Sequence, residues 1–321
     1  VNLQTSNSET YTVAFYNTEN LFDFIDDPLI NDIDFLEASN KNWNKERYQN
    51  KIYKTGMAIS KIGFDELQKP PTLIGLAEVE NDRVLNALVK SAHLKDYNYG
   101  FVRYDSPDER GIDVAFLYDR ESFTLENSEN ITLDIKSELG VRDYTRDILK
   151  ICGYLDGEKI HLLINHWPSR HEGSDTTGYK RMHASQKVVA LIDGILQEDA
   201  EAKVIIMGDF NDNPRNESIQ FLKNTKSLFN PMEKLMSYTR GSANHNSKWI
   251  LFDQILMTQN FLELEKEGLK FLKADIFDEK FLTHYNGKYK GQPFRTYVGK
   301  KYKGGFSDHF PVYIQLKRAN Q

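Results

Sequence analysis

The chain has 321 residues, of which 40 % are hydrophobic, 12 % aromatic and 27 % charged, with a formal net charge of −6; this balance supplies a sizeable core and excludes a disordered chain. No apolar run approaches the ~18 residues that a bilayer-spanning helix needs, and a single cysteine rules out a disulfide framework. The negative charge argues against indiscriminate adhesion to nucleic acid, but a local basic surface remains compatible with a polyanion.

Residues 1–9 are polar and read as a tail, following either a removed signal peptide or a chain boundary, a hint of a secreted or cell-envelope protein. Apolar runs then predict strands at 11–16, 73–79, 112–118, 147–155, 159–165, 203–207, 253–258 and 311–316. Helical spacing lies between them. It puts Tyr48, Ile52, Ile59 and Ile62 on one stripe of 46–62, Val84, Leu85, Leu88 and Val89 together in 81–91, and Met182, Val188, Val189, Ile192, Ile195 and Leu196 together in 179–198. Asp156-Gly157 marks a hairpin turn. Cys152, inside an apolar strand, reads as a buried structural thiol. No linker or repeat interrupts the series, so residues 10–318 are expected to form one domain, most simply a monomer. The pattern indicates an α/β fold with mixed sheets packed face to face beneath outer helices.

Polar residues break this pattern at strand ends, where sites on sheet scaffolds concentrate. Glu78 closes the run TLIGLAE, with Glu80 on the same face if the strand persists; metal ligation competes with a salt bridge or an acid at the start of the next helix. In GDFNDNP, Asp209 and Asn211 offer an acceptor beside a donor able to hold a water, or else form a turn. Asp253, a charge within WILFDQIL, must be paired, by a histidine or by an arginine. Asp308 and His309 sit side by side at a strand entrance, so their side chains diverge. Asn17 ends the first strand, His166 ends another, and Arg146 precedes the 147–155 run with a fork suited to phosphate or to the surface. Together these acids, amides and imidazoles lack zinc spacing and suit Mg²⁺ or Mn²⁺ with water as nucleophile in phosphoryl transfer.

Five ordered segments carry a family resemblance: YNTENLF, LAEVEN, GDFND, FDQIL and GGFSDHFPV. The chain resembles the endonuclease/exonuclease/phosphatase, or deoxyribonuclease I-like, superfamily along nearly its whole length. Its WPSRHEGSDTTGYKRMH insertion resembles bacterial exported members. The resemblance implies a four-layer α/β sandwich, with Glu78 binding the metal and Asn17 and Asp308 near it. It implies that Asp209 and Asn211 position the attacking water, that Asp253 orients His309, and that His309, His166 and Arg146 address the scissile phosphate. Ile164 departs from the Thr or Asn that many relatives carry two residues before the first histidine.

Two substrate classes remain. Lys288, Lys290, Arg295, Lys300, Lys301 and Lys303, interleaved with Tyr289, Phe294, Tyr297 and Tyr302, suit phosphate contacts and base stacking and favour a nuclease or phosphodiesterase. The alternative is a phosphatase or phospholipase-C-like diesterase acting on inositol phosphates or lipid head groups. A binding protein on a decayed scaffold is disfavoured because the core motif residues are all present.

Overall fold

Eleven strands form the two principal sheets of the computed structural model, which describes residues 9–137, 140–170 and 173–319; residues 1–8 of the expected tail lie outside these. In chain order the strands are β1 (Thr10–Leu21), β2 (Leu73–Val79), β3 (Tyr99–Arg103), β4 (Asp113–Asp119), β5 (Phe123–Ile131), β6 (Ile148–Leu155), β7 (Glu158–His166), β8 (Lys203–Asp209), β9 (Asp253–Met257), β10 (Gly268–Ile276) and β11 (Val312–Ala319). The six-stranded sheet runs β10-β11-β1-β2-β4-β3 and the five-stranded sheet β9-β8-β7-β6-β5. Both are mixed, because β1 and β2 are parallel, as are β7 and β8, while the other neighbours are antiparallel.

Alternation along the central strands creates the layers. Leu162, Ile164, Ile205, Met207, Ile255 and Met257 join the core shared with the first sheet, while their neighbours Leu163, Val204, Ile206 and Leu256 join a second cluster. That cluster is completed by Ala184, Val188 and Ile192 of helix α3 (Ser174–Glu198) and Ile219 and Leu222 of α4 (Glu217–Thr225). On the other side, α1 (Lys45–Lys61) and α2 (Asp82–Val89) contribute Ile52, Ile59, Val84, Leu85 and Leu88 to the first cluster. The result is the four-layer sandwich. Gly75 of β2 marks how close the sheets come: a Cβ there would lie 2.6 Å from Met207 Sδ and 3.3 Å from Ile164 Cγ2, so a side chain would wedge the sheets apart.

All eight expected strands and three expected helical stripes are present. The sequence reading missed β3, β5, β10 and α4. The three strands are sheet edges, and β5, for example, reads FTLENSENI with only Phe123 buried. Polar residues interrupt β5 and β10, and β3 is only five residues long, so none of the three stands out as an apolar run. The Asp156-Gly157 turn has φ values of 52° and 75°, as a two-residue hairpin of this type requires. Cys152 is buried, and burial together with Glu126 pushes its thiol up to about 11, consistent with an inert structural group.

Candidate active site

The parallel pairs set the location of the site, because they bring the C-terminal ends of β1 and β2 in one sheet, and of β7 and β8 in the other, to the same end of the sandwich. In the five-stranded sheet, Asp209 pairs in register with His166 on one side and Asp253 on the other. Asn17 lies near the end of β1 and the Asp308-His309 pair just before β11.

Asp209 is buried at the centre. Its Oδ2 accepts a hydrogen bond from Asn17 Nδ2 at 3.0 Å, and its Oδ1 accepts the Asn211 backbone N–H at 3.0 Å. The strand stops there. Asn211 adopts φ 51° and closes a turn on the Asp209 side chain rather than continuing the strand, while its Nδ2 donates to Trp167 O at 2.9 Å. Around Asp209 Oδ2 stand His166 Nε2 at 3.7 Å and His309 Nε2 at 3.9 Å. Burial, then the Asp253 charge, pushes the Asp209 carboxyl up to about 6, against the opposing pull of His309, Asn211 and Asn17.

The pairing of Asp253 resolves to histidine. His309 Nδ1 lies 2.6 Å from Asp253 Oδ2, which also accepts Ser242 Oγ at 2.5 Å. Burial pulls the His309 pKa down, but Asp253, Asp209 and Asp308 outweigh it and hold the imidazole well above its ordinary value. His309 is therefore a cation whose Nε2–H faces the site. We expect Asp253→Asn to lower the His309 pKa, visible in its ring-proton titration by NMR, and to reduce turnover less than loss of Asp209 does. An unmoved titration would remove Asp253 as the group that holds the proton.

His166 behaves in the opposite way. Burial, then Arg146, Arg110 and His309, puts its pKa well below the ordinary range, so it is neutral beside a cationic partner. Its Nδ1 is buried without a partner among the described residues. The Arg146 fork is occupied by the protein: Nη1 pairs with Asp108 at 3.1 Å and Nη2 donates to Trp167 O at 2.8 Å. It thus fixes the carbonyl that also receives Asn211.

Glu78 has φ 63° and sits at a register shift in both ladders of β2, which breaks the alternation. Its Oε2 accepts the Asn20 N–H at 2.8 Å and its Oε1 lies 3.4 Å from Asn17 Nδ2. Glu80 accepts the Asp23 N–H instead, at 2.6 Å, and burial pushes it up to about 8. The shared face expected for the two glutamates is lost to the bulge. Asn17 turns its donor toward Glu78 and Asp209, because its Oδ1 is taken by the Glu19 N–H at 2.9 Å.

Asp308 and His309 do not diverge fully, because Asp308 Oδ1 lies 3.9 Å from His309 Nε2. Asp308 Oδ2 pairs with Arg295 Nη2 at 2.9 Å, and Arg295 Nε reaches Glu19 Oε1 at 3.2 Å. Sequence reasoning missed Glu19 and the wholly buried Lys51, which donates to Thr296 Oγ1 at 2.8 Å and Phe306 O at 2.6 Å. Burial, then Asp308, raises Glu19 to about 7, whereas burial lowers Lys51 to about 8 against the pull of Glu19 and Asp308. Glu19 stands inside YNTENLF, and a charged residue in a strand otherwise buried was the available signal.

The donor set fits a hard divalent cation. Four carboxylates, those of Glu78, Asp308, Asp209 and Asp253, gather here with Arg295 and His309 beside them. Among the described residues, Asp209, Asp253 and His309 form a cluster of ligand-type side chains with atoms within 4.8 Å of one another. Asp253 is wholly buried, with Oδ2 engaged twice and Oδ1 without a partner among the described residues, whereas Glu78 and Asp308 are only partly buried oxygen donors.

The Endonuclease/Exonuclease/phosphatase family profile matches residues 12–318, and the chain belongs to that family of phosphoester-hydrolysing enzymes. A search of curated protein sequences returns no match. Among solved structures, the fold is similar to an endonuclease/exonuclease/phosphatase family protein from Bacteroides thetaiotaomicron, at 16 % identity and TM-score 0.62 over 97 % of this chain and 98 % of that one. It is also similar to a mannosyl-6-phosphatase of Bacteroides thetaiotaomicron (16 % identity, TM-score 0.59, 95 % and 99 % covered). A truncated TDP2 of Caenorhabditis elegans matches with 17 % identity and TM-score 0.58, covering 96 % and 97 %. At these identities the likeness is one of fold.

Proposed function

We propose that this chain is a divalent-metal-dependent phosphodiesterase that hydrolyses phosphodiester bonds, nucleic acid strands foremost, with a water deprotonated by Asp209. The observation that carries the reading is the convergence on Asp209 Oδ2 of the Asn17 amide at 3.0 Å and of both imidazole Nε2 atoms, at 3.7 and 3.9 Å. Those last two distances exceed a direct hydrogen bond, so neither ring is spent on the carboxylate and both Nε2 atoms can address a reacting group beside it. Asn17 and the Asn211 N–H fix the carboxylate on which the water is held. Neutral His166 and cationic His309 turn Nε2 toward the same space, where a phosphoryl oxygen gains charge, and Asp253 keeps the His309 proton on Nδ1. Glu78 and Asp308 would hold Mg²⁺ or Mn²⁺, which when bound supplies Lewis-acid polarisation of the phosphoryl group. Excess EDTA is expected to abolish turnover and either metal to restore it. Undiminished turnover in EDTA would sink the metal dependence.

The basic segment supports a polyanionic substrate through its charges. Lys288, Lys290, Lys300, Lys301 and Lys303 are exposed, but Tyr297 is buried and Phe294 and Tyr302 pack against the core. The interleaved aromatics that suggested base stacking therefore face mostly inward, because they anchor the segment to Trp43 and Arg47. Replacing Lys300, Lys301 and Lys303 together should flatten the salt dependence of DNA binding, by roughly one unit of slope per lost phosphate contact. An unchanged slope would leave the segment without a role in the strand track.

A second reading, hydrolysis of a small phosphorylated headgroup, is favoured by a cavity of about 290 Å³ beside Asp308. Among the described residues no helix is long and apolar enough to cross a membrane. Ile25, Leu29 and Ile33 are exposed on the loop after β1, but Asp26, Asp27 and Asp34 stand among them and repel an anionic lipid surface. Water-soluble esters are the better candidates within this reading. A panel of plasmid DNA, RNA, inositol phosphates, sphingomyelin and a generic diester, each with Mg²⁺ or Mn²⁺, separates the two readings.

A further inference from the structure

The cavity beside Asp308 has two preorganised walls. One is a hairpin, Ala243–His245 paired with Lys248–Ile250, whose turn residues Asn246 and Ser247 have φ values of 50° and 63°. A backbone bridge from Ala243 to His309, and the Phe310 N–H on Ser242 O at 2.6 Å, tie this hairpin to the reacting centre. The other wall is the loop 283–293, closed on itself by His284 N to Gln292 O at 2.9 Å, Gly291 N to His284 O at 3.0 Å and Gln292 N to Tyr289 O at 2.9 Å. Such internally bonded walls need little ordering when a ligand enters.

The lining is rich in donors and cations. Lys288, Arg295, His284, His245, Tyr289 and Asn244 all face the cavity, and Asp308 is the one acid among its lining residues. Asp308 already holds Arg295 at 2.9 Å, so it does not cancel the Lys288 charge. Burial, followed by the charges of Lys303 and Arg295, lowers the His284 pKa, so His284 lines the cavity as a hydrogen-bonding ring rather than as a further cation. No part of the hydrolytic arrangement at Asp209 uses Lys288, His284 or Tyr289.

We propose that this cavity is a second anion subsite, built by Lys288, Arg295 and His284, which takes a phosphate group carried by the substrate next to the one being hydrolysed. The proposal rests on the phosphoesterase reading and narrows it to substrates with two neighbouring phosphates. The second phosphate comes either from the adjoining nucleotide of a strand or from another ester on a small polyol.

Two matched pairs test it: an inositol monophosphate against a vicinal inositol bisphosphate, and a thymidine dinucleotide without and with a 5′-phosphate. Binding is measured by calorimetry with Mn²⁺ on Asp209→Asn protein, which reads the subsite without turnover, and kcat/KM is measured on the wild type. A charge-assisted contact predicts at least about tenfold tighter binding of the doubly phosphorylated member of one pair. The pair that shows the preference identifies the source. Adding Lys288→Ala should bring that ratio to within about twofold, again on the scale of one charged contact. Ratios near one in both pairs, or a preference that survives Lys288→Ala, would overturn the subsite. Absence of turnover on every substrate while the binding preference holds would overturn the hydrolase reading and leave the subsite standing.

Discussion

Asp209→Asn is expected to lower turnover by about 10²–10⁴-fold, the range typical for loss of a general base, while leaving substrate affinity equal or higher. The substitution keeps the shape but removes the carboxylate that stands between both imidazoles and the Asn17 amide. It also removes a negative charge from the place a phosphate occupies, so affinity and turnover move in opposite directions. Stability provides the control. Because burial raises the Asp209 pKa to about 6, above its unfolded value, the folded state holds that proton more tightly. The Asp209 contribution therefore makes the fold less stable as pH rises from about 4 to about 6, and removing the charge offsets this at neutral pH. Against it stands one mismatched hydrogen bond, worth about 1 kcal/mol, since the new amide must turn a donor toward Asn17 or toward the Asn211 N–H. The thermal midpoint should thus move by only a few degrees. For the wild type, the acid limb of the rate profile should fall as pH drops through about 6, where Asp209 takes up a proton. Retention of more than about a tenth of wild-type turnover, against the loss expected for a general base, would exclude Asp209 from that role.

What was legible in the sequence followed how strongly burial patterns a segment. Central strands such as KVIIMGD are apolar on both faces because they lie between the other sheet and a helix, so their ends and the polar residues there were easy to place. The edge strands β3, β5 and β10 were not, because one side of each lacks a strand neighbour and burial is partial, whereas the edge strand β9 is wholly buried and could be read. Within the site, Asp209, Asp253 and His309 could be singled out one by one, since each interrupts an apolar run or opens one. The local geometry could not be read, because it depends on backbone that leaves the regular period. Glu78 and Asn211 adopt left-handed φ, and each turns a side chain expected from strand alternation. The Glu19–Arg295–Asp308 chain joins residues 276 and 13 positions apart, which no local pattern encodes.

The second large effect concerns Glu78. Glu78→Gln is expected to weaken Mn²⁺ affinity by about a hundredfold or more, because partners one shell further from a metal already cost about 10–100-fold when changed. The side chain is well held for ligation: the Asn20 N–H fixes Oε2, the Asn17 amide approaches Oε1 at 3.4 Å, and the bulge at φ 63° turns the residue out of strand register. Glutamine is no less able than glutamate to adopt that φ, so the substitution removes charge without adding backbone strain. It does force an amide NH₂ toward either the Asn20 N–H or the Asn17 amide, and a modest fall in thermal midpoint is expected from that mismatch. Calorimetric titration with Mn²⁺ reads metal binding directly, and turnover measured against metal concentration should shift by the same factor, with activity partly recovered at high Mn²⁺. Asp253→Asn is the discriminating companion. If the cation were held by the Asp209, Asp253 and His309 cluster instead, Asp253→Asn would depress Mn²⁺ affinity and Glu78→Gln would leave it untouched. That outcome would move the metal to the far side of Asp209, and the division of labour proposed between the carboxylates would have to be reversed.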